Sequence, residues 1–247
     1  MINKFYVELF DLEVNNWWFR SLYDLVLRYT KKLFKKNFST IKVLYLGTGT
    51  CHLIELLNQI GVGNVYGFDP SPHAITFCRK RGLSNVWVQN FADWSPNPQE
   101  YDMIINLNTL THRIYMADEQ QIIRKINYAL RPYGYVIVNW PVRETGQLVF
   151  KHSQFEHKRL DPRYFVRMMK SNGFRVRYST YRLPLYGLFV VLNKIFGYED
   201  HLVPMSKTWN NFLMKYALAE NALLSLGCRF LWGSSFFLVA QKRMVEI

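Results

Sequence analysis

The chain has 247 residues, 49% of them hydrophobic and 20% charged, a balance that supports a sizeable core and excludes a solvated, disordered polymer. It carries 31 Lys and Arg against 18 Asp and Glu, a formal charge of +13, which suits an anionic partner such as a phosphate-bearing substrate, a membrane surface or nucleic acid. Three cysteines (Cys51, Cys78, Cys228) without a CxxC pair exclude zinc-site spacing and argue against a disulfide framework, so a reducing cytoplasm is the expected setting.

The opening residues MINKFYVELFDLEV carry acids where a signal peptide needs an apolar run. No stretch reaches the roughly 18 apolar residues of a membrane span. Residues 5–36 read as one helix, with Trp17, Trp18, Phe19, Leu22, Leu25 and Leu27 on its apolar side and Lys31, Lys32, Lys35 and Lys36 at its C-terminal end. Strand and helix patterns then alternate. Strands are predicted at 43–47, 65–69, 86–89, 102–107 and 135–140, and helices at 51–60, from Ser71 to Gly82, and at 118–130. A helix at 163–171, a strand at 174–181 and a last strand at 235–241 follow, with an insertion at about 184–230 that holds a helix from Trp209 to Ser225. Short apolar strands between helices predict a mostly parallel sheet covered on both faces.

The stretch VLYLGTGTCHLIELL, residues 43–57, is a strand, a turn and a helix. Gly47 and Gly49 allow close backbone approach to a ligand, and the following helix offers free N–H groups. A dinucleotide fingerprint asks for a third glycine at position 52, which here is His52. Asp69 ends the second strand twenty residues after Gly49, and in a doubly wound sheet that places a carboxylate beside the glycine turn, where it can accept ribose hydroxyls. The competing structural reading is a tight turn plus an acid that caps the helix after Pro70 and Ser71.

Together with YDMIINLNTLTHR and INYALRPYGYVIVNWP, these blocks resemble the class I S-adenosylmethionine-dependent methyltransferases over about residues 41–183. The segment EVNNWWFR, Glu13–Arg20, is similar to a motif that opens several bacterial members, and LWGSSFFLVAQKR resembles the closing strand. The resemblance implies a Rossmann-like α/β fold, doubly wound around a mostly parallel seven-stranded sheet. It divides the chain into an N-terminal helical cap (1–40), a cofactor-binding core (41–183), a helical insertion (184–230) and a closing strand (231–247). It also implies S-adenosylmethionine as cofactor, with S-adenosylhomocysteine as product and no metal. Gly47, Thr48 and Gly49 would lie under the methionine moiety, Asp69 with Pro70 at the ribose, Phe91, Ala92 and Asp93 around the adenine, and Asn106 near the methyl group. Three positions depart from the pattern: Tyr45 where an acid often stands, Cys51 for the third glycine, and Phe91 for an adenine-side acid.

An in-line methyl transfer needs alignment above all, and for a hydroxyl acceptor also a general base. His112, after the fourth strand, is the leading candidate, with His152 and His157 in the basic stretch 141–182, where ten Lys and Arg meet three acids. Each also has a plain reading, as a turn cap or a solvated loop residue. The expected acceptor is a small molecule or a lipid-linked compound, attacked through oxygen or nitrogen. A peripheral membrane contact is suggested by the basic stretch beside the apolar segment 184–197. NLNT after the fourth strand lacks the NPPY- or DPPY-like motif of nucleobase enzymes, which disfavours nucleic acid. A non-catalytic scaffold and an RNA-directed enzyme are the alternatives.

Overall fold

The computed structural model describes residues 2–35, 37–109, 119–142, 160–188 and 206–244. Seven strands form one sheet in the order β3-β2-β1-β4-β5-β7-β6. They are β1 (Lys42–Leu46), β2 (Asn64–Asp69), β3 (Val86–Val88), β4 (Tyr101–Leu107), β5 (Leu130–Pro141), β6 (Phe174–Arg182) and β7 (Ser235–Lys242). Strands β3, β2, β1, β4 and β5 pair in parallel, and β7 runs antiparallel to both β5 and β6. The predicted seven-stranded, mostly parallel sheet is therefore what the chain forms.

Alternation along the strands builds two cores. Val43 and Tyr45 of β1, Met103 and Ile105 of β4, and Phe237 and Val239 of β7 face one side. Leu44, Ile104, Val136, Val138, Leu238 and Ala240 face the other. Strands with both faces covered read as unbroken apolar runs, which is why these segments are legible in the sequence. The first face is covered by α1 (Ile2–Asn15), α2 (Trp17–Phe34), α3 (His52–Gln59) and α4 (Pro72–Lys80). The second carries α5 (Glu119–Ala129), through Ile122, Ile123 and Ile126, and α6 (Pro162–Ser171), through Phe165, Met168 and Met169.

The long N-terminal helix expected at 5–36 is two helices. Asn16 adopts an extended conformation (φ −82°, ψ 132°) and its side chain accepts a hydrogen bond from Trp18 N–H at 2.9 Å. An asparagine satisfies such a free N–H better than helix continuation does, so it breaks the run. Trp17 N–H is held by Asn210 Oδ1 at 3.0 Å, from α7 (Lys207–Ser225) in the insertion. Ser206 caps α7 by accepting from Trp209 N–H.

Trp17 and Trp18, expected on the apolar side of the N-terminal helix, are both buried. They meet edge to face at 5.8 Å and stack on Tyr186 at 5.0 and 6.0 Å. Leu183 and Ala217 complete this cluster. The tryptophan pair is thus the seam between α2 and the insertion.

One expectation is overturned. Cys51 and Cys78 form a disulfide, with Cα atoms 5.1 Å apart, while Cys228 is free and exposed. Counting cysteines misses this because an odd total leaves one over, and because the two partners meet only once α4 packs beside the glycine turn. The cysteine pattern consequently gives no ground for a reducing compartment. Among the described residues no helix is long and apolar enough to cross a membrane.

Candidate active site

The strand order reverses at β1, which has β2 on one side and β4 on the other. Open α/β sheets bind ligands in the crevice beyond the carboxyl ends of strands at such a point. Leu46 pairs with Phe68 and with Asn106, so the ends of β1, β2 and β4 share one edge. A cleft of about 680 Å³, counting the part open to solvent, lies there.

Its floor is the turn Gly47–Cys51. Gly47, Gly49 and Cys51 all adopt left-handed backbone, with φ of 71°, 55° and 69°. Glycine takes this conformation without strain, whereas at Cys51 it costs roughly 1–2 kcal/mol. Cys51 thus keeps the conformation of the third glycine that the sequence lacks. Gly47 N–H and Thr48 N–H both donate to Phe68 C=O, at 2.8 and 3.2 Å. This ties the turn to the end of β2.

Asp69 completes the tie. Its Oδ2 accepts from Gly49 N–H at 3.0 Å and its Oδ1 from Ser71 N–H at 2.9 Å. The carboxylate is only 6% exposed yet lines the cleft. Each oxygen keeps an acceptor site beyond its one hydrogen bond. Burial raises its pKa to about 6, against the opposing pull of the two N–H groups.

The roof comes from the cap. Phe5, Tyr6, Leu9 and Glu13 of α1 and Phe19, Leu22 and Tyr23 of α2 line the cleft. Their spacing places each set on one side of its helix. Glu13 is 2% exposed. Its Oε1 accepts from Thr50 N–H at 2.9 Å and its Oε2 from His52 N–H at 3.0 Å. A Cβ added at Gly49 would stand 2.6 Å from Oε1, so Glu13 lies directly on the turn. Burial raises its pKa to about 7, with the hydrogen bonds from His52 N–H and from the hydroxyl and N–H of Thr50, and the charge of Arg81, pulling the other way. Tyr23 and Tyr45 are raised well above the usual phenol value, chiefly by burial.

Arg81 fastens this corner from outside. Its guanidinium donates to Thr50 C=O at 2.7 Å, Glu55 Oε2 at 2.7 Å and Phe10 C=O at 3.0 Å, and stacks 3.9 Å over the Phe10 ring. One side chain therefore joins the turn, α3 and α1.

The third wall is the turn after β4. Asn108 has left-handed backbone (φ 62°), and its N–H donates to Asn139 C=O at 2.7 Å. Thr109 packs over Gly47. Asn106, assigned in the sequence to the neighbourhood of the methyl group, works from behind this wall. It is fully buried, and its Nδ2 donates to Thr109 Oγ1 at 2.6 Å and Leu46 C=O at 3.2 Å.

The other predicted site residues separate. Gly47, Gly49, Asp69, Pro70 and Phe91 line the cleft. Thr48 turns its side chain away, against Gly67. Ala92 gives its C=O to Lys125 Nζ at 2.6 Å. Asp93 lies in a separate depression with Trp94, Arg124 and Lys125, because the chain turns outward after Phe91 buries its ring against Phe68. His112, His152 and His157 lie outside the described residues. Sequence reasoning missed Glu13, Tyr23, Tyr45, Asn108 and Thr109. The spacing of Tyr6, Leu9 and Glu13 on one helix is the signal that points to the roof.

These residues suit S-adenosylmethionine. Asp69 can accept vicinal hydroxyls, Glu13 and Thr109 pack on the glycines of the turn, and Phe91, Phe5, Tyr6 and Phe19 offer flat apolar surface for a base. The donor carries a fixed positive charge, and the two ionisable carboxyls in the cleft have the complementary sign.

A family model described as methyltransferase domain matches residues 18–179. No curated protein sequence matches the chain. Among solved structures, a putative methyltransferase of Haloferax volcanii, determined in complex with the Trm112 methyltransferase activator, is 15% identical with a TM-score of 0.61, over 96% of this chain and 93% of that one. A putative S-adenosylmethionine-dependent methyltransferase from Listeria monocytogenes is 14% identical with a TM-score of 0.55, over 87% and 97%. Phosphoethanolamine N-methyltransferase 2 of Haemonchus contortus, in complex with S-adenosyl-L-methionine, is 16% identical with a TM-score of 0.56, over 88% of this chain and 52% of that one. By its family match and its strand order, the chain belongs to the class I S-adenosylmethionine-dependent methyltransferases.

Proposed function

We propose that the chain transfers the methyl group to a small-molecule or lipid-linked acceptor, through oxygen or nitrogen, by in-line displacement. The observation that carries this reading is the roof: α1 and α2 close over the cofactor turn with apolar and aromatic side chains. A cleft so covered suits a compact acceptor better than the wide face of a folded macromolecule. The bound donor supplies an activated methyl carbon. The protein's part is to hold donor and acceptor in line and keep water out. We assign the base for a hydroxyl acceptor to His112, with His152 and His157 as alternatives. In support, β4 ends at the cleft and its next residues, Asn108 and Thr109, line it.

The lipid-linked variant draws support from exposed apolar side chains on and near the insertion. Leu185, Trp209, Phe212, Leu231 and Trp232 are all exposed, and Lys207, Lys215 and Arg229 lie among them in the sequence. An apolar, cationic surface suits anionic lipid. The test is to incubate the protein with methyl-labelled S-adenosylmethionine and separated small-molecule, lipid and RNA fractions. Label in the first two is expected and should vanish in Asp69→Ala. Label confined to RNA would overturn the reading, and failure of the wild type to bind S-adenosylhomocysteine in a calorimeter would remove its basis.

A further inference from the structure

Glu13 is more than a helix cap. The residue that starts α3, Cys51, makes no side-chain capping hydrogen bond, and Glu13 supplies one from another helix, through Thr50 N–H and His52 N–H. An uncharged side chain could do that without taking an ionisable carboxyl out of water. Among the described residues neither Glu13 nor Asp69 forms a salt bridge. Arg81, the nearest cation, spends its guanidinium on Glu55, Thr50 and Phe10. Glu13 is therefore a buried carboxyl that lines a ligand cleft, rests on Gly49, and has spare acceptor capacity on each oxygen. Position 45, where the family pattern often has an acid, holds Tyr45, which faces Glu13 and lines the same cleft. Glu13 itself lies ahead of the matched span 18–179.

We infer that Glu13 binds the α-ammonium of the cofactor's methionine end, replacing from the cap helix the carboxylate that β1 lacks. This rests on the reading of the cleft as the S-adenosylmethionine site. Asp69 holds the sugar at one end of the turn, and Glu13 holds the amino acid end a few ångströms away across Gly49. The cap helix is then part of the binding site. An ammonium also demands the ionised carboxylate. Near neutral pH the empty site is partly protonated, because burial outweighs its hydrogen bonds. The titratable and charged groups around Glu13 are Tyr23 of α2, Tyr45 of β1, Asp69 of β2 across Gly49, His52 of α3 and Arg81 after α4. Burial keeps the two phenols neutral and raises Glu13 further than Asp69, so a proton lost on binding near pH 7 comes mainly from Glu13.

The test uses three ligands on the full chain: S-adenosylmethionine, S-adenosylhomocysteine, and 5′-methylthioadenosine, which keeps the nucleoside but lacks the amino acid end. Glu13→Gln should weaken the first two by about ten- to a hundredfold, the usual range for a hydrogen bond to a charged group, and change the third by less than about threefold. Equal loss for all three would show that Glu13 only shapes the turn, and overturns the assignment, as does no loss at all. Loss confined to S-adenosylmethionine would assign Glu13 to the sulfonium and equally overturns it. A second measurement needs no variant: calorimetry of S-adenosylhomocysteine binding to the wild type at pH 7, in buffers of different ionisation heat, should show net proton release. Zero release overturns the proposal. If the wild type binds none of the three ligands, the reading of the cleft fails instead.

Discussion

Two buried corners of this molecule hold ionisable groups, and only one of them faces a cleft. Beside α7, Arg182 is fully buried with Glu220 as its charged neighbour. Glu220 accepts from Leu183 N–H and Tyr216 O–H, both at 2.8 Å, and Arg182 reaches Ser21 Oγ at 3.4 Å. Among the described residues the two form no ion pair, and Arg182 Nε and Nη1 are buried without a hydrogen-bond partner. At the glycine turn, Glu13 and Asp69 accept backbone N–H groups and face a cleft. The first corner serves the join between α2, β6 and the insertion. The second lines the cleft. Burial alone does not mark a functional group; burial on the wall of a cleft points to one.

The largest effect should come from the first corner. Arg182→Ala removes the positive charge that pulls on buried Glu220 and should cost about 3–5 kcal/mol, read from urea midpoints. A cost near zero would show that the two charges are not coupled. Next comes the pH dependence of the open corner. Glu13 and Asp69 have folded-state pKa values above their ordinary ones, about 7 and about 6. The folded protein then holds protons that the unfolded chain has already released, so their ionisation lowers stability as pH rises from about 4 to about 7. Relative to wild type, ligand-free Glu13→Gln should gain roughly 2–3 kcal/mol between pH 5 and pH 8. A pH-independent difference would mean that Glu13 is not held above its ordinary pKa. Gly49→Ala should cost about 1–2 kcal/mol, since it forces a side chain into left-handed backbone and against Glu13, and should weaken S-adenosylhomocysteine binding more than tenfold. Smallest is Asn16→Ala, at about 1 kcal/mol, from loss of the cap that starts α2. Retained melting temperature in that variant would move the helix break to another cause.

The fold was legible because its evidence is local. The apolar runs of β1, β4 and β5, the Gly47–Gly49 turn and the acid at Asp69 each announce themselves within a dozen residues. The same is true of the floor of the cleft. The roof was not legible in this way. Glu13 belongs to a motif whose tryptophans draw the eye, yet Trp17 and Trp18 pack on Tyr186, and the residue that reaches the turn sits one helix earlier. No rule of sequence spacing connects position 13 with positions 50 and 52; only the docking of α1 does. The Cys51–Cys78 bridge escaped for the same reason. Asp93 misled in the opposite sense, since its nearness in sequence to Phe91 hides the outward turn between them.

The two ends of the chain stand in different relations to the chemistry. The last described residues sit by Gly173 and Tyr133, at the rim of the sheet opposite the carboxyl ends of β1 and β4. The first helix forms one wall of the cofactor chamber. A purification handle or fluorescent partner joined ahead of residue 2 should therefore slow ligand exchange, and the same attachment after residue 244 should leave it untouched. Stopped-flow release of S-adenosylhomocysteine from the two fusions would show the asymmetry, and equal rates would mean that traffic bypasses the cap.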